Sequence, residues 1–176
     1  MIGIVLVTFF HPTTSTSGII QLKYRKEIEQ LVDLKAISGN IASLQSDSSR
    51  NQTWIMAGSW KLKMPRGNQS SPNFYAEMTM TEIGGNSSYK LVLSDFQLLN
   101  QQINETSAVF NGSAMMSSVG DEGPPSFFNQ TYAVSITFKI LSLKTIGIFV
   151  SKNDISDHFG ETPIFGTVSF KKSSVK

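Results

Sequence analysis

WIMAGSWKLKM, residues Trp54 to Met64, is the stretch on which the fold turns. Trp54, Met56, Gly58, Trp60, Leu62 and Met64 share one side of an extended chain. Ile55, Ala57, Ser59, Lys61 and Lys63 share the other. Both tryptophans of the protein fall on the same face. A period of two predicts a strand whose aromatic side is covered by other strands.

Working outward, the chain supplies those strands. Extended runs are predicted at 37–45, 54–64, 74–82, 89–98, 106–117, 131–141, 144–151 and 164–170. Phe74, Ala76, Met78 and Met80 share a face, as do Ala108, Phe110, Gly112, Ala114 and Met116. Tyr132, Val134, Ile136, Phe138 and Ile140 form a third such row. Turn chemistry separates the runs: Gly84-Gly85-Asn86, the polar stretch Pro65 to Pro72, and Gly123-Pro124-Pro125. No helical pattern lies between strands, so neighbours are expected to pair antiparallel. The expected fold is mainly β: one antiparallel β-barrel-like roll, or a sandwich, of about eight strands over residues 37–170. The long runs 54–64 and 106–117 favour the barrel-like roll, whose strands tilt and coil.

One helix is expected ahead of the sheet, at 19–36. Ile20, Tyr24, Ile28, Leu31 and Leu34 recur at three and four, with Lys23, Arg25, Lys26, Glu29, Gln30 and Asp33 opposite. Its mixed charges suit packing on a sheet better than lying on a membrane, which favours a basic polar face. Before it, Ile2 to Phe10 is an apolar run with the length of a signal-peptide core, followed by small residues. Residues 1–18 therefore read as a signal-peptide-like leader, although no Lys or Arg precedes the run. The run is too short to span a bilayer, which takes roughly 17–25 residues. Residues 171–176 form a basic polar tail with Lys171, Lys172 and Lys176.

Composition narrows the function classes. The 176 residues are 40% hydrophobic and only 16% charged, so Ser, Thr, Asn and Gln carry the polar surface. Net charge is +2 and the 15 basic residues are scattered along the sequence apart from the tail. That argues against nucleic acid as a partner. The absence of cysteine excludes disulfides, thiolate metal sites and cysteine nucleophiles.

Six Asn-x-Ser/Thr acceptors stand at Asn51, Asn68, Asn86, Asn104, Asn111 and Asn129. Five sit in or beside an expected turn; Asn111 lies mid-strand on the face opposite Phe110. Their clustering points to N-glycosylation and an extracytoplasmic place, although a chain rich in Asn, Ser and Thr produces some sequons by chance. His158 lies near Asp154, Asp157 and Glu161, with Asp154–His158 and Asp157–Glu161 four apart. One helical turn would gather them as divalent-metal ligands, but Gly160 and Pro163 interrupt any helix there. The competing reading is a loop shaping entry into the last strand. No Gly-x-Ser-x-Gly elbow, phosphate loop or singled-out carboxylate pair suggests catalysis, and no cofactor is implied.

Five blocks carry a resemblance: ISGNIASLQSD (Ile37 to Asp47), WIMAGSWKLKM, FYAEMTM (Phe74 to Met80), SDFQL (Ser94 to Leu98) and DHFGETPIFGTV (Asp157 to Val168). In these the chain resembles a group of uncharacterised secreted β-domain proteins of ammonia-oxidising archaea. Many members of that group carry a His-x-His pair just before the block matching Ser94 to Leu98. Here the region reads GGNSSYKLVLSDF, without histidine, which leaves His158 as the remnant of any such metal site. The resemblance implies an extracytoplasmic β-rich protein and no particular activity. The leading expectation is a non-enzymatic secreted or cell-envelope domain with a structural or binding role at the surface. The alternatives are a barrel that holds a small apolar ligand among Trp54, Trp60, Phe74 and Met78, and a divalent-metal-binding protein.

Overall fold

The computed structural model describes residues 36–47, 52–65, 71–104, 106–119, 131–142, 144–151, 159 and 162–169. Eight strands follow one another: β1 (Ala36–Asp47), β2 (Gln52–Lys63), β3 (Asn73–Glu82), β4 (Ser88–Ile103), β5 (Ser107–Val119), β6 (Thr131–Leu141), β7 (Thr145–Ser151) and β8 (Ile164–Thr167). Each pairs antiparallel with the next, and β8 returns to β1, closing a barrel. Closure decides between roll and sandwich in favour of the barrel. The expected helix, leader and tail lie outside the described residues, except that Ala36 opens β1. Ala36 lies opposite Lys63, so strand pairing claims the residue that helical spacing assigned to the helix end.

The alternation read from the sequence is the alternation of burial. Trp54, Met56, Trp60 and Leu62 face inward and are buried. So do Phe74, Ala76, Met78 and Met80 on β3, and Val134, Ile136, Phe138 and Ile140 on β6. An eight-stranded barrel has an interior that side chains can just fill. Here aromatic rings fill much of it. Phe74 and Phe110 stack on either side of Phe138, with centroid separations of 4.4 Å and 4.8 Å. Trp60 stacks on Phe74, and Phe96 meets Phe138 edge-on at 5.3 Å. Offset and edge-on packing of this kind adds to the gain from burial alone.

Strand β4 departs from simple alternation. Tyr89, Leu91 and Leu93 point inward, and the next buried residue is Phe96, three positions on. The cause is a bulge: Ser94 lies opposite Met115 and Gln97 opposite Ser113, so β4 carries one extra residue. Asp95 takes it up with φ of 51°. The bulge swings the Phe96 ring over Gly112, where a β-carbon would lie 2.6 Å from the ring. A second register shift, between Leu98 and Asn100, leads into an exposed strand end.

The seam between β8 and β1 is the shortest pairing in the barrel. Ile41 lies opposite Gly166, and Ser38 bridges Ser169 beyond the strand end. Side chains supply what the ladder lacks. The Trp60 indole N–H crosses the inner face of β1 to donate to the Thr167 carbonyl at 2.9 Å. Gly39 makes this passage possible, because a β-carbon there would lie 1.7 Å from the Thr167 oxygen and 2.7 Å from Trp60 Nε1. Higher on the seam, fully buried Gln45 donates through Nε2 to Ser43 Oγ and to the Pro163 carbonyl. Its Oε1 accepts from Thr162 Oγ1.

Gly39→Val should therefore cost about 3 kcal/mol or more, since overpacking here meets backbone rather than a flexible side chain. Trp60→Phe should cost a further-separable 1–3 kcal/mol, roughly, by leaving the Thr167 carbonyl without its donor. Ala42→Val, exposed on the same strand, should stay within about 0.5 kcal/mol of the parent. Urea unfolding of the three variants checks this. A Gly39→Val protein as stable as Ala42→Val would refute the account of the seam.

Candidate functional site

Strand direction sorts every connection to one of two ends. The connections β1–β2, β3–β4, β5–β6 and β7–β8 share the head end. The start of β1, the connections β2–β3, β4–β5 and β6–β7, and the chain after β8 share the terminal end. The expected metal ligands His158, Asp154, Asp157 and Glu161 belong to the β7–β8 connection and lie outside the described residues. Their neighbour Phe159 is described, 2% exposed, and part of the core. Among the described residues no three His, Cys, Asp or Glu side chains come together as a metal site.

Three of the six glycosylation acceptors, Asn51, Asn68 and Asn129, also lie outside the described residues. The other three reach solvent in different ways. Asn86 is exposed in the β3–β4 turn, beside Gly85 with φ of 74°. Asn104 is exposed at the β4–β5 turn and shapes it. Its Oδ1 accepts from the Thr106 and Ser107 amides, at 3.1 and 2.9 Å, and from Ser107 Oγ. The turn thus uses the side-chain oxygen, while a glycan would attach at the nitrogen. Asn111 is half-buried on the outer wall of β5, where its Oδ1 accepts from Thr137 Oγ1 at 2.7 Å.

The interior is graded in polarity. Toward the terminal end it is the aromatic stack of Phe74, Phe110 and Phe138. Toward the head end stand Gln45, Trp54, Tyr89 and Ser118. Tyr89 meets Trp54 edge-on at 5.3 Å and donates to Met80 Sδ. Ser118 Oγ is buried without a hydrogen-bond partner among the described residues. The proposed ligand-lining set Trp54, Trp60, Phe74 and Met78 does face inward, each at most 2% exposed. These side chains pack on one another and on their neighbours as core.

The outer wall carries Lys61, Lys63, Glu77 and Lys90. Glu77 stands mid-strand on this wall, where the lipid-facing band of a transmembrane barrel excludes charge. No helix among the described residues is long and apolar enough to cross a membrane. On β3 and β4, Tyr75 Oη donates to Glu77 Oε2 at 2.7 Å and Lys90 Nζ lies 2.6 Å from Glu77 Oε1. The hydrogen bond from Lys90, and then that from Tyr75, holds the Glu77 carboxyl below its ordinary range. The same carboxylate raises the Lys90 ammonium and the Tyr75 hydroxyl.

No known protein family, curated protein or solved structure matches the chain.

Two outcomes follow from this geometry. A carboxyl depressed by folding stabilises above its unfolded pKa and stops doing so as pH falls through the folded one. Raised Lys90 and Tyr75 stabilise below their unfolded pKa values and stop as pH rises through the folded ones. The thermal midpoint of Glu77→Gln should thus fall slightly below that of the parent at neutral pH and low salt. The difference should shrink as pH falls through the depressed folded-state value of Glu77, and in roughly 1 M salt. Ser118→Ala should be neutral or stabilising by up to about 1 kcal/mol, because it removes a buried hydroxyl that gains no partner. A loss above that in urea unfolding would show that the hydroxyl is engaged.

Proposed function

We propose that the chain is a non-enzymatic, N-glycosylated β-barrel domain of the extracytoplasmic surface, and that it acts by binding through its exterior. One observation carries the reading. The interior is occupied by interlocked core side chains, while the described sequons Asn86, Asn104 and Asn111 all stand on turns or the outer wall. Sugars attached there would extend into solvent without disturbing the core. The leader-like run at 2–10 and the low charge content support the same location. A barrel without disulfides must hold without covalent staples, and the stacked rings around Phe138 supply much of its packing.

Intact mass of the protein from its native source tests the reading. It should exceed that of the bare 19.4 kDa chain, or of the chain lacking its leader, by glycan increments. Thr106→Ala, Ser88→Ala and Ser113→Ala should each remove one increment and leave the barrel folded. Asn104→Gln should remove the same increment and also cost about 1 kcal/mol, through loss of the turn's hydrogen bonds. A native mass equal to the unmodified chain would overturn the proposal.

A further inference from the structure

Beyond its bulge, β4 parts from β3. The β3–β4 ladder ends at Ala76 opposite Leu93, whereas β3 stays paired with β2 as far as Asn73 opposite Lys63. Strand β4 continues to Ile103, paired there with β5 alone. At the terminal end it is therefore an edge strand, with β5, β6 and β7 behind it. Leu99 to Ile103 are exposed in succession, Leu99 at 80% and Ile103 at 40%.

The ladder to β5 fixes which backbone groups are free. The Asn104 amide donates to the Ser107 carbonyl at 2.9 Å, so these two residues form a hydrogen-bonded pair. Bonded and non-bonded pairs alternate along an antiparallel ladder. Gln102 opposite Val109 and Asn100 opposite Asn111 are thus bonded pairs, while Gln101 opposite Phe110 and Ile103 opposite Ala108 are not. The N–H and C=O groups of Gln101 and Ile103 point away from β5, and no described strand or turn takes them up. Backbone groups left open in this way are what strand addition uses.

We infer that this edge pairs with the same edge of a second copy of the chain, giving a twofold dimer about Gln102. Set antiparallel, Gln101 lies opposite the partner's Ile103 and Ile103 opposite the partner's Gln101. The two pairs then exchange four backbone hydrogen bonds. The strand itself argues for this occupant, because its free donors and acceptors match when it is turned on its own twofold axis. Natural edges refuse such pairing with lysine, proline or inward-pointing charge. Phe96 to Ile103 holds no charged residue and no proline. Charges along the edge would help to select a foreign strand, and this stretch offers only neutral amides, aliphatic groups and the buried Phe96 ring. Twofold pairing uses up the edge in both copies, so association stops at two. Alternation puts Asn104 on the outer face with Gln102 and with Asn100, so a sugar there projects out of the sheet and not along the pairing direction. The inference names a partner for the surface-binding reading and rests on it only for a role of the exterior.

Sedimentation velocity of full-length protein made without glycosylation tests it, and a negative result there leaves the intact-mass test of glycosylation standing. Dimer should grow with concentration up to roughly 1 mM, with no larger species. Gln101→Pro removes an amide that β5 does not use, and should weaken association about tenfold or more. Gln102→Lys and Gln102→Glu each set like charges opposite one another on the axis, and each should be monomeric. Mixed together they should dimerise, because unlike charges then meet. Ala42→Lys, exposed on β1, should associate like the parent. Circular dichroism checks that each variant folds; where Gln101→Pro alters it, the two variants of exposed Gln102 carry the test. Monomer at every concentration, or a dimer that a folded Gln101→Pro leaves intact, would overturn the inference. So would Gln102 variants that dimerise singly or stay apart on mixing, and so would open-ended growth beyond two copies.

Discussion

The hydrogen bond from the Trp60 indole to the Thr167 carbonyl is the contact on which closure of the barrel depends. Seven of the eight strand junctions join neighbours along the chain, so each closes only a short separation in sequence. The eighth joins β1 to β8, strands at opposite ends of the described sheet, through a short ladder. Closing it orders a long stretch of chain, and non-local pairing of this kind pays its entropy before contacts form. Trp60 and Gln45 answer this with buried side-chain hydrogen bonds that reach across the seam. Gly39 contributes by what it lacks, since any side chain there would occupy the path of the indole. An open sheet would leave β1 and β8 as exposed edges, the condition that barrels abolish.

Once closed, the barrel divides its residues by destination. The inward set is committed to packing, from the rings around Phe138 to the more polar layer of Gln45, Tyr89 and Ser118. On the surface-binding reading proposed above, recognition falls to the outward set. It is uneven: Glu77, Tyr75 and Lys90 form a polar network on one wall, while Leu44, Ile55, Phe149 and Phe165 lie on the wall across the seam.

Strand β4 shows how a local irregularity serves the core. A strictly alternating strand would place Asp95 inward and Phe96 outward after Leu93. The bulge reverses this, with Asp95 in the left-handed region and Phe96 turned over Gly112. The ring then covers a glycine that would otherwise leave a gap beside Phe138. Asp is among the residues that tolerate this backbone best, because its short side chain bonds locally; here Asp95 Oδ2 accepts from Ser94 Oγ.

The sequence by itself determined the eight extended runs and nearly every inward face, because the side-chain period of a strand is local and written in adjacent residues. Trp54 with Trp60, the Phe74 row and the Phe138 row were legible in this way. The acceptor asparagines were equally legible as motifs, whereas the turn made by Asn104 Oδ1 was not. The tertiary structure alone decided closure, the extra residue in β4 and the contacts made across Gly39. It also decided the arrangement of charge. Lys61, Lys139 and Lys144 look scattered along the chain, and antiparallel strands carry them to one rim. The reason is physical: pattern within a strand follows from bond geometry, while position around a barrel follows from which distant strand completes the ring.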